Sequence, residues 1–226
     1  METANNIIPR VSVSPRQNLG PLLPLEAPFA IDVSISSFCN LKCKFCFHYE
    51  NDFKKELMDI SLFKKIVDDL EQFQRPIKKV RFSGSGESLI HPQFLEMLRY
   101  LSLSKVAETI NLTTNGLLLT EQICEAIVES GLNQIYVSVE AVTSDGYYDI
   151  AGQHVNVNKL AQMIEYLYQY KQKNNPDFQI YVKTVDKGLK CKEEEELFYS
   201  LFNDKCDHLF IERVINHWPG SNNKML

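Results

Sequence analysis

Cys39-Asn-Leu-Lys-Cys43-Lys-Phe-Cys46 places three thiols within one short stretch. The surrounding Ser37-Phe-Cys-Asn-Leu-Lys-Cys-Lys-Phe-Cys-Phe-His48 follows the end of a β-like run and precedes any helical stripe, so the thiols belong to a loop. Three thiols so close in sequence can converge on one metal centre. A complete protein-only iron–sulfur cubane needs a fourth thiolate, and a closed structural zinc site also wants four ligands. Three thiolates on a four-iron cluster leave one iron open for another ligand. The competing reading is a Cys3His zinc knot that recruits His48, but no second ligand pair at finger-like spacing follows. A disulfide framework is a poorer fit. Residues 1–10 lack the basic region and apolar core of a signal peptide, and clustered cysteines in an intracellular chain usually mean metal or redox chemistry.

Composition bounds what the loop is built into. The 226 residues suit one α/β-barrel-type domain or two small ones. A hydrophobic content of 44% with 23% charged residues provides for a real core. The net charge of −5 argues against a general nucleic-acid binder, because neutralising phosphates needs a basic surface. No apolar run approaches the ~18 residues that suggest a membrane-spanning helix. The expected compartment is the cytoplasm, with no membrane and no nucleic acid as partner.

Residues 1–28 carry five prolines and no sustained period, which predicts an extended arm over the surface. From Phe29 onward β-like runs alternate with helical patterns. Strands are expected at 30–36, 78–83, 108–113, 134–140, 178–185 and 208–214, and helices at 61–73, 92–103, 121–130, 158–171 and 192–202. Helix starts are marked by Asp59 or Ser61, His91-Pro92 and Thr120-Glu121. Gly131 stands where a helix ends. Six strands with intervening helices imply a parallel sheet with right-handed crossovers. The expected organisation is an arm (1–28), a (β/α)6 core (29–215) and a C-terminal tail (216–226).

Parallel strands covered on both faces normally read as continuous apolar runs. Here Ile31, Val33 and Ile35 alternate with Asp32, Ser34 and Ser36, and Ile135, Val137 and Val139 with Tyr136, Ser138 and Glu140. The other strands alternate in the same way. With helices on the outside, the polar faces line a lumen for water or a polar ligand. A solvated face on an ordinary half-open sheet is the alternative. Six strands curled into an open partial barrel accommodate both.

C-x3-C-x2-C with an aromatic before the last Cys resembles the signature of the radical S-adenosylmethionine (SAM) enzymes. The resemblance covers roughly Phe29 to Val214 and implies a partial (β/α)6 TIM-like barrel. In that superfamily the open iron of a [4Fe-4S] cluster is chelated by the amino and carboxylate groups of SAM. By the resemblance Cys39, Cys43 and Cys46 ligate the cluster and Phe45 packs near the adenine. Ser83-Gly84-Ser85-Gly86-Glu87-Ser88 matches the family's glycine-rich, acid-terminated motif, whose edge meets the SAM amino group. Ser88 stands where the commoner form has proline. Glycines admit close backbone approach to a ligand, and Glu87 can accept from an ammonium. Thr113-Thr-Asn115-Gly116 corresponds to a segment approaching SAM, although Asn-Gly is also simply a good turn. Ser138 and Glu140 stand at the family's ribose-binding position. Ala151 falls where many relatives carry an Arg for the SAM carboxylate, leaving Lys183, Gln153 or His154 to meet it.

The implied chemistry is one-electron reduction of the cluster by a donor such as flavodoxin or ferredoxin, then cleavage of SAM to methionine and a 5′-deoxyadenosyl radical that abstracts hydrogen from a substrate. Cys-Phe-His48, Ser138-Val-Glu-Ala141 and Ile215-Asn-His-Trp-Pro-Gly220 resemble the SPASM-linked branch. Its relatives modify peptides, proteins, sugars or other small molecules, usually with a Cys-rich extension that binds auxiliary clusters. No such cysteines follow here. A cluster-binding accessory protein without turnover, and a zinc-stabilised barrel, are the remaining alternatives. Cys124 is assigned to the core; Cys191 and Cys206 flank a helix and are assigned to packing, with a ligand role as the alternative.

Overall fold

The computed structural model describes residues 7–9, 20–47 and 54–214. His48, most of the arm and the expected tail lie outside them. Seven parallel strands form one sheet: β1 (Ile7–Pro9), β2 (Ala30–Val33), β3 (Lys79–Phe82), β4 (Ile110–Thr114), β5 (Gln134–Ser138), β6 (Gln179–Val185) and β7 (His208–Arg213). Their spatial order is β1-β7-β6-β5-β4-β3-β2, so the sheet ends at β1 and β2 and the barrel is open between them. Helices α1 (Ile60–Leu70), α2 (Phe94–Ser104), α3 (Glu121–Glu129), α4 (Ser144–Ala151), α5 (Val157–Asn174) and α6 (Lys192–Phe202) run between the strands.

The six-strand expectation needs one addition. Ile7–Pro9 of the arm pairs in parallel with Ile211–Arg213 of β7. Proline lacks an N–H and is tolerated in a strand where no central ladder depends on it, at an edge. Helix α4 was not anticipated either. Its eight residues include Gly146 and too few turns to show a stripe, but Thr143 caps it by accepting from the Gly146 N–H. Such a cap is worth about 1 kcal/mol. Thr120 and Asn156 start α3 and α5 in the same way.

Alternation is realised as two different faces. Val80 and Phe82 of β3 point to the helices, where Phe82 stacks on Phe63 of α1 and meets Phe94 of α2 edge-on, at centroid distances of 5.7 and 5.4 Å. On the other face Asp32, Arg81, Asn111, Gln134 and Gln179 follow one another in register across β2 to β6. Arg81 forks onto the Asp32 carboxylate, with one Nη2–Oδ2 contact of 2.8 Å, and Asn111 donates to Gln134 at 2.9 Å. The next residues up give a stack of Tyr136, Tyr181 and His208, with centroids 4.4 and 4.2 Å apart. This lining is polar but largely self-paired. At the lower end, buried Lys171 of α5 donates to Asp207 at 2.7 and 2.9 Å and to the Phe178 carbonyl at 2.6 Å, anchoring the entries of β6 and β7.

Candidate metal and cofactor site

Loops leaving the C-terminal ends of the strands meet above this lumen, the usual place for barrel sites. The cysteine loop follows β2, and other loops grip it. Phe38, just before Cys39, accepts from the Glu87 N–H at 2.7 Å. Asn40, just after it, accepts from the Asn115 side chain at 2.7 Å. Lys42 and Lys44, on either side of Cys43, donate their backbone N–H groups to the Ala151 and Ile150 carbonyls at the end of α4, both at 2.9 Å. Cys46 closes a turn by donating its N–H to the Cys43 carbonyl at 2.9 Å, and Phe45 packs partly buried against the core. The loop has little regular structure of its own; neighbours hold it.

The glycine-rich loop after β3 explains its own composition. Gly86 has φ of +74°, and a Cβ there would lie 2.5 Å from the carbonyl oxygens of both Ser36 and Phe38. Only glycine lets the two loops touch. Ser85 is tied to Ser34 in both directions, its N–H donating to the Ser34 hydroxyl at 3.0 Å and its carbonyl accepting at 2.9 Å. Glu87 is buried, and its carboxylate accepts from the Leu89 N–H (3.0 Å), the Thr114 hydroxyl (2.8 Å) and the Asn115 N–H (2.8 Å). Burial raises its pKa, and these donors oppose the shift. This carboxylate therefore joins the glycine-rich loop to the end of β4.

Glu140, beyond the end of β5, is buried too, but no described residue donates a hydrogen bond to its carboxylate. Burial pushes its pKa up to about 7, with Lys183 opposing and Glu212 adding to the rise. Its own N–H donates to the buried Tyr147 hydroxyl at 3.1 Å. Lys183, in register with Ser138, contacts Glu212 of β7 at 2.7 Å. Glu212 escaped the sequence reading, although its alternation with Ile211 puts it on the lumen face. The structure brings Cys39, Cys43, Cys46, the 84–87 loop and Asn115 to one end of the barrel, with Ser138, Glu140 and Lys183 on β5 and β6. Gln153 and His154 are both exposed, and His154 stacks on Tyr148 beside a groove of about 600 Å³ that shares no lining residue with the cysteine loop.

The donor set suits a cluster with one open position. Burial pushes the Cys39 and Cys43 thiols up; Glu140 pushes both further and Glu87 adds to the rise at Cys39, where the Leu41 N–H opposes it. Bound cationic iron would offset such penalties and hold the thiolates. Cys39 and Cys43 also feel Cys46 electrostatically. No group of three or more Cys, His, Asp or Glu among the described residues is arranged to hold a single metal ion. A cluster that takes one thiolate per iron needs no such convergence. Cys124 and Cys206 are buried elsewhere, in α3 and before β7, and Cys191 precedes α6.

A three-thiol loop gripped at the mouth of an open parallel barrel defines a class of iron–sulfur enzymes. The profile of the radical SAM superfamily matches residues 33–187, and the chain belongs to that superfamily. The family binds a [4Fe-4S] cluster and SAM and consists of enzymes. The chain is 28% identical over 197 residues to the tungsten-containing aldehyde ferredoxin oxidoreductase cofactor-modifying protein of Pyrococcus furiosus, covering 86% of this chain and 54% of that protein. It thus spans about half the length of that relative. Streptococcus suis SuiB bound to S-adenosylmethionine shares the fold with a TM-score of 0.65 at 14% identity, over 84% of this chain and 42% of SuiB. The anSMEcpe structure with bound AdoMet has a TM-score of 0.62 at 18% identity, over 87% of this chain and 55% of its own. No helix among the described residues is long and apolar enough to cross a membrane.

Proposed function

We propose that this chain binds a [4Fe-4S] cluster through Cys39, Cys43 and Cys46 and carries SAM across the barrel mouth. The chemistry that the pair supplies when bound is reductive cleavage of SAM and hydrogen-atom abstraction from a substrate. The observation that carries this reading is the gripped cysteine loop, with both neighbours of Cys39 hydrogen-bonded to other loops and both neighbours of Cys43 to the end of α4. That grip fixes the ligands before metal arrives, lowering the ordering cost of binding.

The other residues have separable roles in the proposal. Phe45 supplies an apolar wall for the adenine. The edge of Gly84, Ser85 and Gly86 offers backbone to the amino group, with Glu87 holding that edge against Asn115. Ser138 and Glu140 receive the ribose diol, since a buried carboxylate without a donor gains by accepting from hydroxyls. Lys183, with Glu212 as its counter-ion, meets the SAM carboxylate. The proposed substrate class is a peptide: the likeness to SuiB, crystallised with the precursor peptide SuiA, and to anSMEcpe, crystallised with a Cp18Cys peptide, supports it. A carbohydrate is the alternative. The electron comes from a flavodoxin- or ferredoxin-type donor, and the setting is cytoplasmic.

Anaerobic reconstitution with iron and sulfide, then dithionite reduction with SAM, tests this by the release of 5′-deoxyadenosine. Release is expected from the parent chain and falls to background in Cys43→Ala. Cluster uptake without release would support the accessory reading. Zinc uptake without iron would overturn the assignment.

A further inference from the structure

The two grips on the cysteine loop differ in kind. Cys43 is bracketed by main-chain hydrogen bonds, from Lys42 and Lys44 to the Ala151 and Ile150 carbonyls. Those bonds survive substitution of the side chains involved. Before Cys39, the Phe38 carbonyl accepts from the Glu87 N–H and the Ser36 hydroxyl. After it, Asn40 Oδ1 accepts from Asn115 Nδ2, and the Leu41 N–H donates to the Cys39 thiol at 3.4 Å. The tie from the residue after Cys39 to a distant loop is thus a side-chain bond. The Asn115 amide cannot face either way. Its Oδ1 accepts from the Leu117 N–H at 3.0 Å, its N–H donates to Glu87, and its side chain is buried. The Nδ2 donors must therefore point at the cysteine loop, and Asn40 must answer with its oxygen.

Resting on the cluster reading above, we propose that Asn40 is a positioning residue: latched by Asn115, it sets the pose of Cys39 and hence of the cluster iron that this thiolate holds. The route runs Asn40–Asn115–Glu87–Phe38 and returns to the loop on the other side of Cys39. It couples the first cysteine to the end of β4 and to the glycine-rich loop that faces SAM in the proposed site. Removing Asn40 Oδ1 leaves the buried Asn115 amide without its partner and frees one side of Cys39. Cys43 keeps both tethers.

The test uses the full chain with Asn40→Ala, Asn115→Ala, the double variant and Asn40→Asp, which keeps an acceptor oxygen. In iron-free protein, timed alkylation by iodoacetamide read cysteine by cysteine in peptide mass spectra is expected to accelerate several-fold at Cys39 and to stay unchanged at Cys43. After reconstitution, the spin-resonance signal of the reduced cluster is expected to change with Asn40→Ala. The SAM dissociation constant is expected to rise about 10-fold, the factor that corresponds to loss of a hydrogen bond worth near 1.4 kcal/mol. The double variant should match Asn115→Ala, which also loses the acceptor of the Leu117 N–H, because Asn40→Ala removes only the bond that Asn115→Ala already removes. Asn40→Asp should restore the parental alkylation pattern. Equal acceleration at Cys39 and Cys43, additive effects, or parental behaviour of Asn40→Ala would overturn the proposal. The alkylation arm needs no cluster, so a parent chain that fails to take up iron would defeat the functional reading while the latch is still judged at Cys39.

Discussion

Glu87 and Glu140 are both buried at the same end of the barrel, and burial raises the pKa of both. Their surroundings differ. Glu87 accepts from two backbone N–H groups and a hydroxyl, whereas the Glu140 carboxylate receives no hydrogen bond from any described residue. A carboxylate whose donors come from its own chain holds loops together. One that is desolvated without donors meets the cost by holding its proton to higher pH. Glu87 is thus the architectural carboxylate of the mouth, and Glu140 is the one that the proposed site assigns to the ribose.

The comparison breaks most easily at Glu87. Glu87→Ala strands three donors, each left unsatisfied at about 1–3 kcal/mol. An overall loss of about 3–5 kcal/mol is expected, allowing for partial relaxation. Urea unfolding of the iron-free chain measures it, and a loss below about 1 kcal/mol would remove Glu87 from its architectural role.

Glu140→Gln should act in the opposite direction on stability. The folded carboxyl keeps its proton up to about pH 7, against 4.5 for the ordinary group. The folded state therefore binds more protons across that window, and its stability falls as pH rises through it. The groups facing this carboxylate are Lys183 on β6, Glu212 on β7, Tyr147 on α4 and the Cys39 and Cys43 thiols. Replacement by the neutral amide is expected to stabilise the iron-free chain by up to about 3 kcal/mol at pH 8. Near pH 4.5 the two proteins should melt alike. SAM binding should weaken, because the amide is a poorer acceptor for a diol. Thermal melts across that pH range decide the first part and equilibrium dialysis the second.

The smallest effect is expected from Lys183→Ala. Lys183 opposes the rise at Glu140, so its loss moves the pH window for Glu140 upward. It also leaves Glu212 without the ion pair at 2.7 Å. A several-fold loss of SAM affinity is expected. Unchanged affinity would release Lys183 from the proposed contact.

The legible part of this molecule was its periodic part. Alternation in β2 to β7 and the stripes of α1, α2, α3, α5 and α6 repeat a simple preference many times, so local reading finds them. The short α4 and the edge strand β1 repeat nothing. Helix α4 is declared only by its cap, and β1 only by the free edge of β7 that it pairs with. At the mouth, the thiol spacing and the Gly-Ser-Gly-Glu run were visible because glycine and cysteine are chemically unmistakable. The reason for Gly86 was not visible, since it lies in two carbonyl oxygens of another loop. Asn40, in the middle of the most conspicuous motif, attracted no attention, because its partner is 75 residues away.

Sequence alone determined the class of chemistry, the strand-and-helix alternation and the two-faced strands, because each depends on residue type and short spacing. Tertiary structure decided which of two buried glutamates is already satisfied, that Lys183 is answered by Glu212, and that the side of Cys39 rests on a side-chain latch while Cys43 rests on backbone. Those distinctions are matters of hydrogen-bond partnership between loops far apart in the chain, and a carboxylate or an amide looks the same in sequence whether or not its partner has arrived.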